Sequence, residues 1–315
     1  MKSLVKNSIL FLVPLVIILL LLEIFLRSID TSYSEKKKGL VANDVKVELL
    51  ILGNSHSTYG INPNAFDLYA YNMANVNQSL YFDKRITLKH LNQLPNLKYV
   101  LIGIDYHSLY FSDQKIRNIW SYYDYGIDYK NQLSFTSKNS RIKGYTLKVA
   151  LTFIKRKYSG NYQKIKAIDV EDGVDLNQPI QKGWFSFVGT EKGLMNEKSY
   201  GSTANLFNYT VKNSTEKTEI ISNLEDFIGI LKKRNITPIL VTTPCYEPYK
   251  KLLSKKYLDT NQADVKKLTE KYQIAYWNYF DLPLDQSCFH NCDHLNGKGA
   301  AIFSKMLNSR LKSIK

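Results

Sequence analysis

Short apolar runs alternate with stretches of helical periodicity from about residue 45 to the C-terminal end of the chain. Such alternation is typical of βαβ units, in which helices cover both faces of a parallel sheet. The pattern therefore predicts an α/β fold with three α/β/α layers and about five parallel strands. The predicted strands are Val45–Leu52, Leu68–Met73, Tyr99–Ile104, Thr237–Thr242 and Ala275–Tyr279. The predicted helices are Ile221–Lys233, Ala263–Tyr272 and Lys298–Lys312.

One long stretch, from Tyr106 to about Lys217, interrupts this rhythm. A crossover between parallel strands needs only about a dozen residues, so the stretch at 106–217 is predicted to be a large insertion after the third strand. It contains an amphipathic helical pattern over residues 147–158 and the aromatic sequence Gly183-Trp-Phe185. Because it leaves the carboxyl end of a strand, it is expected to overhang the sheet edge where ligands bind. Its aromatic rings could stack on sugars as a lid or form a small satellite core.

The N-terminal segment is strongly hydrophobic. The stretch Ile9–Leu26 gives 18 positions, close to the roughly 20 residues that a helix needs to cross a bilayer. No small-residue cleavage site follows, which favours an uncleaved membrane anchor over residues 1–30 rather than a removed signal peptide. Residues 31–44 are polar and Lys-rich, as in a tether, and residues 45–315 are predicted to form the main domain.

Basic residues flank the hydrophobic segment on both sides, so charge alone does not decide its orientation. Large domains translocate largely regardless of charge, and we expect the short tail inside and the main domain outside the cytoplasmic membrane. The formal net charge of the chain is +15, from 43 basic and 28 acidic residues. These basic residues are spread along the chain without a nucleic-acid motif, so no nucleic-acid partner is predicted. An anionic membrane surface or acidic polymer fits an anchored protein better, and a solvated basic surface without a partner is an equally good interpretation.

Two short polar motifs near the ends of the predicted domain carry candidate chemistry. The first, Ile51-Leu-Gly-Asn-Ser-His-Ser57, follows an apolar strand and presents Ser55 on a tight turn. The second, Asp293-His-Leu-Asn-Gly-Lys-Gly-Ala300, places His294 on a loop before the last helix. A serine hydroxyl becomes an effective nucleophile when a base removes its proton, so the pair predicts nucleophilic catalysis. The alternative is that Ser55 only caps the following helix.

The same motifs resemble the SGNH/GDSL hydrolase superfamily, whose first block is Gly-Asp-Ser-x-Ser and whose last block is Asp-x-x-His. The resemblance covers about residues 45–105 and 220–312. It implies a flavodoxin-like strand order, with Ser55 as the nucleophile and His294 as its base. Within the superfamily, the chain looks most like the membrane-anchored SGNH-like proteins of bacterial polysaccharide acylation, which add or remove ester-linked acyl groups on exported glycans.

Two positions depart from the family pattern. The residue three before the histidine is Asn291 rather than Asp, and Asp105 stands where the third block has an oxyanion-donating Asn. Asp293 is adjacent to His294 in sequence and is expected to point elsewhere. We therefore predict that Asp105 orients His294. Asn291 could hold the tautomer of the imidazole but could not offset the charge of an imidazolium.

The oxyanion hole is implied by the second family block, which Asn72-Met-Ala-Asn-Val-Asn-Gln-Ser79 resembles. Asn77 falls where the family has its oxyanion glycine, and Asn tolerates the left-handed geometry that this position needs. Gly53 and Asn54 make the tight turn before the nucleophile. The predicted hole consists of the backbone N–H groups of Ser55 and Asn77.

A cluster of cysteines and histidines also precedes the last helix. In Cys288-Phe-His-Asn-Cys-Asp-His294, Cys and His alternate at every second position. In an extended segment these side chains would span roughly 20 Å, too far for one tetrahedral ion, so neither a metal nor another cofactor is predicted. A disulfide between Cys288 and Cys292 or two free thiols is preferred. Among the other histidines, His56 beside the nucleophile is the next candidate.

The Ser55 and His294 motifs predict nucleophilic catalysis, and the resemblance implies a serine esterase or O-acyltransferase that acts on ester-linked acyl groups, with acetyl favoured, of an exported polysaccharide. The predicted partners are the acylated glycan, membrane lipid around the N-terminal helix and a membrane-bound acyltransferase. The alternative is a non-catalytic SGNH-like subunit that binds glycan or assists assembly, because the middle family blocks are degenerate.

Overall fold

The computed structural model describes residues 2–28, 32–111 and 180–314, together with positions 127, 135, 139, 140 and 142. The predicted helix over residues 147–158 and most of the predicted insertion lie outside these residues. The chain divides into two compact units, one made of residues 1–34 and 115–177 and the other of residues 35–114 and 178–315. The second unit contains the sheet and both polar motifs. The predicted domain limits remain predictions.

The described helices are α1 (Lys2–Arg27), α2 (Ser32–Val41), α3 (Ser55–Gly60), α4 (Leu80–His90), α5 (Glu197–Asn213), α6 (Lys217–Lys233), α7 (Glu247–Lys250), α8 (Lys255–Tyr272) and α9 (Gly297–Lys312). The strands are β1 (Leu49–Leu52), β2 (Ala70–Asn72), β3 (Tyr99–Gly103), β4 (Thr237–Thr242) and β5 (Ala275–Asn278). Short 3₁₀ turns lie at Asp44–Lys46, Pro63–Ala65, Leu91–Gln93, Lys192–Leu194 and Gln286–Cys288.

The sheet has five parallel strands in the order β2-β1-β3-β4-β5. This confirms the predicted α/β class, the parallel sheet and the strand order. Strand β1 lies between two neighbours, and its Leu50 pairs with Tyr71 of β2 and with Val100 of β3. All four residues of β1 are buried, as expected for a strand covered by helices on both faces.

Amphipathic helices supply the other half of the core. Helix α9 buries Phe303, Leu307 and Leu311 against the sheet, as its sequence periodicity predicts. Helices α6 and α8 begin earlier than predicted, at Lys217 and Lys255. Their first turns are mostly polar and exposed, so an apolar stripe could not indicate where the helices begin.

The N-terminal helix α1 contains the hydrophobic segment. Its part Lys6–Arg27 has 22 residues, and an 18-residue window within it has a mean hydropathy of 3.2, so it is long and apolar enough to cross a membrane. Within the described part of the chain it is the one helix with these properties, and a signal sequence would have the same length and composition. The predicted tether is largely helical instead, because Ser32–Val41 forms α2. In that helix Lys36 and Leu40 are buried, and Lys36 Nζ donates a hydrogen bond to Ala74 O.

The parallel arrangement brings the carboxyl ends of β1, β3 and β4 to one edge of the sheet. At this edge the turns after β1 and β3 approach each other closely at Gly53 and Gly103. A side chain at either glycine would clash with the Ser57 hydroxyl, and Gly53 also has a φ of +127°. The first polar motif is therefore held against the end of β3, where ligands bind in open α/β sheets.

Candidate active site

Ser55 is the first residue of α3, directly after the turn that ends β1. Asn54 caps this helix, because its Oδ1 accepts a hydrogen bond from His56 N at 2.9 Å. Asn54 O also accepts bonds from the backbone N and the hydroxyl of Thr58, both at 2.9 Å. Hydrogen bonds to both the side chain and the carbonyl group of Asn54 thus fix the turn, while Ser55 itself remains partly exposed. The alternative interpretation of Ser55 was that it only caps the following helix, but Asn54 is the residue that caps this helix.

His294 reaches Ser55 from the loop before α9. The loop is shaped by Asn291, whose Oδ1 accepts the backbone N–H groups of Asp293 at 3.2 Å and His294 at 2.8 Å. Asn296 then caps α9 by accepting from Lys298 N and Gly299 N. The result is a distance of 2.8 Å between His294 Nε2 and Ser55 Oγ. A nucleophile and its base therefore stand within hydrogen-bond reach.

Two side-chain oxygens lie beside the other ring nitrogen of His294. Asp293 Oδ1 is 3.0 Å from Nδ1, and Asn291 Oδ1 is 3.1 Å from the same atom. Asp293 is buried, and burial favours its neutral form, but His294 and His56 outweigh this effect and hold the pKa of the Asp293 carboxyl well below its usual range. The carboxylate can orient the imidazole and stabilise the imidazolium that forms when Ser55 loses its proton.

The structure places Asp105, the predicted orienting carboxylate, beside His56 rather than beside His294. Its Oδ1 lies 3.1 Å from His56 Nδ1 and accepts a bond from Thr243 Oγ1 at 3.3 Å. Asp105 follows the end of β3, beside the first turn of α3. Its carboxylate therefore contacts His56, which belongs to that turn, rather than His294. The carboxylate beside His294 is that of Asp293, which was expected to point elsewhere. The loop bends at Asn291, and because of this bend the adjacent side chains of Asp293 and His294 both lie at the site.

His56 lies between two buried carboxylates. Its Nδ1 faces Asp105, and its Nε2 is 3.5 Å from Asp293 Oδ2. Its ring also packs edge-on against the ring of His294, with 4.9 Å between the centroids. Burial opposes the charged form of His56, but the two carboxylates outweigh it and raise the pKa of His56 well above its usual range. The position of His56 beside Ser55 was the sequence signal for this residue, but the sequence did not indicate that Asp105 and Asp293 contact it.

The loop that carries the predicted oxyanion residue lies beside the nucleophile turn. Asn77 has a φ of +56°, so its backbone is left-handed, as the sequence predicts. Asn75 N donates to Gly53 O at 3.1 Å and ties this loop to the turn before Ser55. The use of the Asn77 and Ser55 N–H groups as an oxyanion hole stays a prediction.

The buried carboxyl group of Asp83 also holds the turn before Ser55 by hydrogen bonds. Asp83 Oδ1 accepts bonds from Gly53 N at 3.1 Å and from Gln78 Nε2 at 2.6 Å. Its Oδ2 is buried and has no hydrogen-bond partner among the described residues. Burial, the largest cause, raises the pKa of Asp83 to about 7, and the nearby Asp105 adds to this. Asp83 also lines a small polar cavity between the nucleophile turn and α4, together with Asn54 and His107.

Aromatic side chains form one wall beside His294. Phe187 stacks on His290 with 3.6 Å between ring centroids and contacts Tyr59 at 4.1 Å. Phe187 belongs to the C-terminal part of the predicted insertion and is partly exposed. Its neighbour Phe185 is buried, and the partly buried Trp184 donates a hydrogen bond from Nε1 to Tyr59 O at 3.1 Å. The described end of the insertion therefore contributes both packing and a ring that faces the site.

Three of these groups could also be reached by a single cation. Ligand atoms of His56, Asp293 and His294 all lie within 4.8 Å of one another. The ring nitrogens of both histidines already face Ser55 or a carboxylate, so a cation would have to displace those contacts. The geometry suits proton transfer better. The cysteines are free buried thiols, as one of the two sequence interpretations predicted: Cys245, Cys288 and Cys292.

Comparisons with known proteins add no argument about activity. No protein-family model and no curated protein matches the chain. Among solved structures, the chain is similar to a Bacteroides fragilis protein provisionally described as an acylhydrolase, with 9% identity and a TM-score of 0.43 over 90% of this chain and 98% of that one. It is also similar to a GDSL-like lipase from Bacteroides thetaiotaomicron, with 10% identity and a TM-score of 0.42 over 90% of this chain and 100% of that one. Likenesses at this level leave the chemistry to be argued from the site itself.

The buried acid gives a prediction about stability. Because the folded state raises the pKa of Asp83 to about 7, from 3.8, folding favours the protonated carboxyl. The contribution of the Asp83 carboxyl to the free energy of unfolding is therefore fully present below about pH 4. This contribution falls by about 4 kcal/mol in total as the pH rises to about 7. Asp83→Asn lacks this loss, so its free energy of unfolding should rise relative to that of the wild type across this window. Urea unfolding of the full chain at pH values of about 4, 6 and 8 measures the difference.

Asp259→Asn is the matched control, since this carboxylate is exposed and pairs with Lys255 on the surface of α8. It should follow the pH dependence of the wild type. Parallel stability curves for Asp83→Asn and the wild type would show that Asp83 is not held as an acid.

Proposed function

We propose that the protein is a serine esterase or O-acyltransferase that acts through an acyl-enzyme on Ser55. One observation carries the proposal, the distance of 2.8 Å between Ser55 Oγ and His294 Nε2, with an ionised carboxylate behind the imidazole. A serine hydroxyl beside a base, with a carboxylate that orients this base, is the arrangement that serine-based acyl transfer uses. The α/β fold and the resemblance of both motifs to SGNH/GDSL hydrolases agree with this reaction class.

In the proposed reaction, Ser55 Oγ attacks the carbonyl carbon of an ester while His294 takes the hydroxyl proton. The tetrahedral intermediate collapses, the alcohol leaves with the proton from His294, and the acyl group remains on Ser55. A second hydroxyl, from water or from a sugar, then attacks the acyl-enzyme as His294 removes its proton. The proton returns to Ser55 as the acid or the new ester is released. Water and sugar compete at this last step, so access to the site decides between hydrolysis and transfer.

The proposed substrate is an acylated polysaccharide outside the cytoplasmic membrane, with acetyl as the acyl group. The apolar length of α1 and the absence of a small-residue cleavage site support an uncleaved anchor. The outer location of the domain is part of the proposal, since large domains translocate largely regardless of charge. Phe187 lies beside His294, with 6.1 Å between ring centroids, and its partly exposed ring is apolar, as are the rings that pack on sugars. The proposed partners follow from this location: the glycan, membrane lipid around α1 and a membrane-bound acyltransferase as acyl donor. A non-catalytic role is the outcome if the tests below find no turnover.

The first test concerns the nucleophile and the base. Ser55→Ala and His294→Ala should each lower kcat for p-nitrophenyl acetate by about 10⁴-fold or more, because removal of either member disables the pair. Ser55→Ala should also abolish labelling of the full chain by a fluorophosphonate probe.

Ser57→Ala is the matched control from the same helix. Its hydroxyl is buried and has no hydrogen-bond partner among the described residues, so its removal leaves no polar group unpaired. This variant should keep both labelling and turnover. If Ser55→Ala is labelled as strongly as the wild type, Ser55 is not the nucleophile.

A second test compares the two carboxylates. Asp293→Asn should lower kcat by about 10²- to 10⁴-fold, because the imidazolium on His294 loses its adjacent anion. Asp105→Asn should lower kcat by about tenfold or less, because its carboxylate contacts His56 rather than His294. Steady-state kinetics on the full chain measure both. The reverse order of effects would return the orienting role to Asp105.

A third test concerns the anchor. Deletion of residues 1–30 should abolish carbonate-resistant membrane association. The reason is that α1 is the one helix, within the described part of the chain, that is long and apolar enough to cross a membrane. The full chain, fractionated in the same way, is the control and should stay in the membrane pellet. A truncated chain that still resists carbonate extraction would contradict the proposal.

A further inference from the structure

The buried ring of His56 is enclosed by two carboxylates, although the reaction proposed above does not require it. Asp105 Oδ1 lies 3.1 Å from Nδ1, and Asp293 Oδ2 lies 3.5 Å from Nε2. All three side chains are at most 5% exposed. Water therefore contributes little to solvating them, and each charge depends on the others for compensation.

The two contacts constrain the protonation of the ring. Ionised carboxylate oxygens only accept hydrogen bonds, and a neutral imidazole has one N–H. A neutral His56 would thus turn one lone pair toward a buried carboxylate, whereas an imidazolium donates to both. Burial alone would lower the pKa of His56, but the two carboxylates outweigh burial and raise it. The groups that face the ring are Asp105 and His107 after β3, Thr243 after β4, and Asp293 and His294 before α9.

We propose that His56 is a positioning residue, held as an imidazolium that shares the Asp293 carboxylate with His294. The role rests on the proposed function. Because His56 holds Oδ2, the carboxylate keeps Oδ1 directed at His294 Nδ1, 3.0 Å away. His56 also follows Ser55 directly in α3, so one turn of helix carries both the nucleophile and the cation that fixes the orienting carboxylate.

The cation has a second consequence for the base. The ring centroids of His56 and His294 are 4.9 Å apart, so a positive charge on His56 opposes protonation of His294. A base must be neutral to accept a proton from Ser55.

The charge state of His56 can be measured without any substrate. The full chain, labelled with ¹⁵N in the imidazoles of its five histidines, gives one set of ring signals for each. The set that disappears in His56→Gln belongs to His56. It should have imidazolium shifts with two attached protons and should not titrate between about pH 5 and pH 8.5. A neutral or titrating His56 would overturn the proposal.

Asp105→Asn provides a second reading that keeps the imidazole. This near-isosteric variant removes one of the two anions, so the His56 signals should move toward the neutral form at high pH. If they stay unchanged, Asp105 does not hold the charge. The variant also serves if His56→Gln fails to fold, since signal assignment can then follow from the shift in Asp105→Asn.

The positioning role is tested by the pH profile of kcat/KM. His56→Gln should move the acid limb to higher pH by about one unit or more, because the cation beside the base is lost. It should also lower kcat by roughly 10- to 100-fold with little change in KM, as loss of an outer partner of a catalytic group does. A purely structural role would lower activity at all pH values and leave the limb in place, which would overturn the proposal.

His90→Gln is the control histidine, because His90 lies at the end of α4 with Gln93 as its ring partner at 2.9 Å. It should keep the wild-type profile. If neither the wild type nor any variant turns over the ester while His56 shows imidazolium signals, the proposed function is wrong and the proposed charge of His56 is confirmed. If turnover is normal and His56 is neutral, the proposed function stands and the positioning role fails.

Discussion

The Asp293 carboxylate is the group on which the geometry of the site depends, because its two oxygens face imidazoles from two different elements. Oδ1 contacts His294 on the loop before α9, and Oδ2 contacts His56 on α3. One buried anion thus joins the two motifs, which are more than 200 residues apart in the chain. A buried charge is strongly unfavourable when unpaired, and one of the imidazoles that pair with this carboxylate, that of His294, also lies 2.8 Å from Ser55 Oγ. The contacts that stabilise the fold at this point are the contacts that the reaction would use.

Charge balance explains why two carboxylates can be buried beside one base. If His56 is an imidazolium, as proposed, Asp105 and Asp293 leave one net negative charge beside His294. In the proposed reaction His294 takes the proton of Ser55, which would offset this negative charge within the site rather than by water. Preorganised charge of this kind stabilises a transition state without solvent reorganisation. The same balance makes Asp105 a structural counterpart of His56, which accounts for a carboxylate at a position where the resembling family has an amide.

The sequence predicted the sheet well, because its strands are apolar on both faces and bounded by polar turns. It also predicted the left-handed backbone at Asn77, a residue that tolerates this geometry. The role of Asp293 could not be predicted, since neighbouring side chains diverge unless the loop bends, and the bend depends on Asn291 accepting two backbone N–H groups. The contact between His56 and Asp105 needs the register of β1 against β3, which local sequence patterns do not contain.

The central claim is that the pair Ser55 and His294 performs acyl transfer through a covalent intermediate. Its most direct test is to mix the full chain with p-nitrophenyl acetate, quench with acid within the first turnover and map the modified peptide by mass spectrometry. We expect one acetyl group on Ser55, which disappears on longer incubation as water or an added sugar takes the acyl group. Product release without any acetyl group on the chain, or an acetyl group that maps to a residue other than Ser55, would rule out an acyl-enzyme on Ser55.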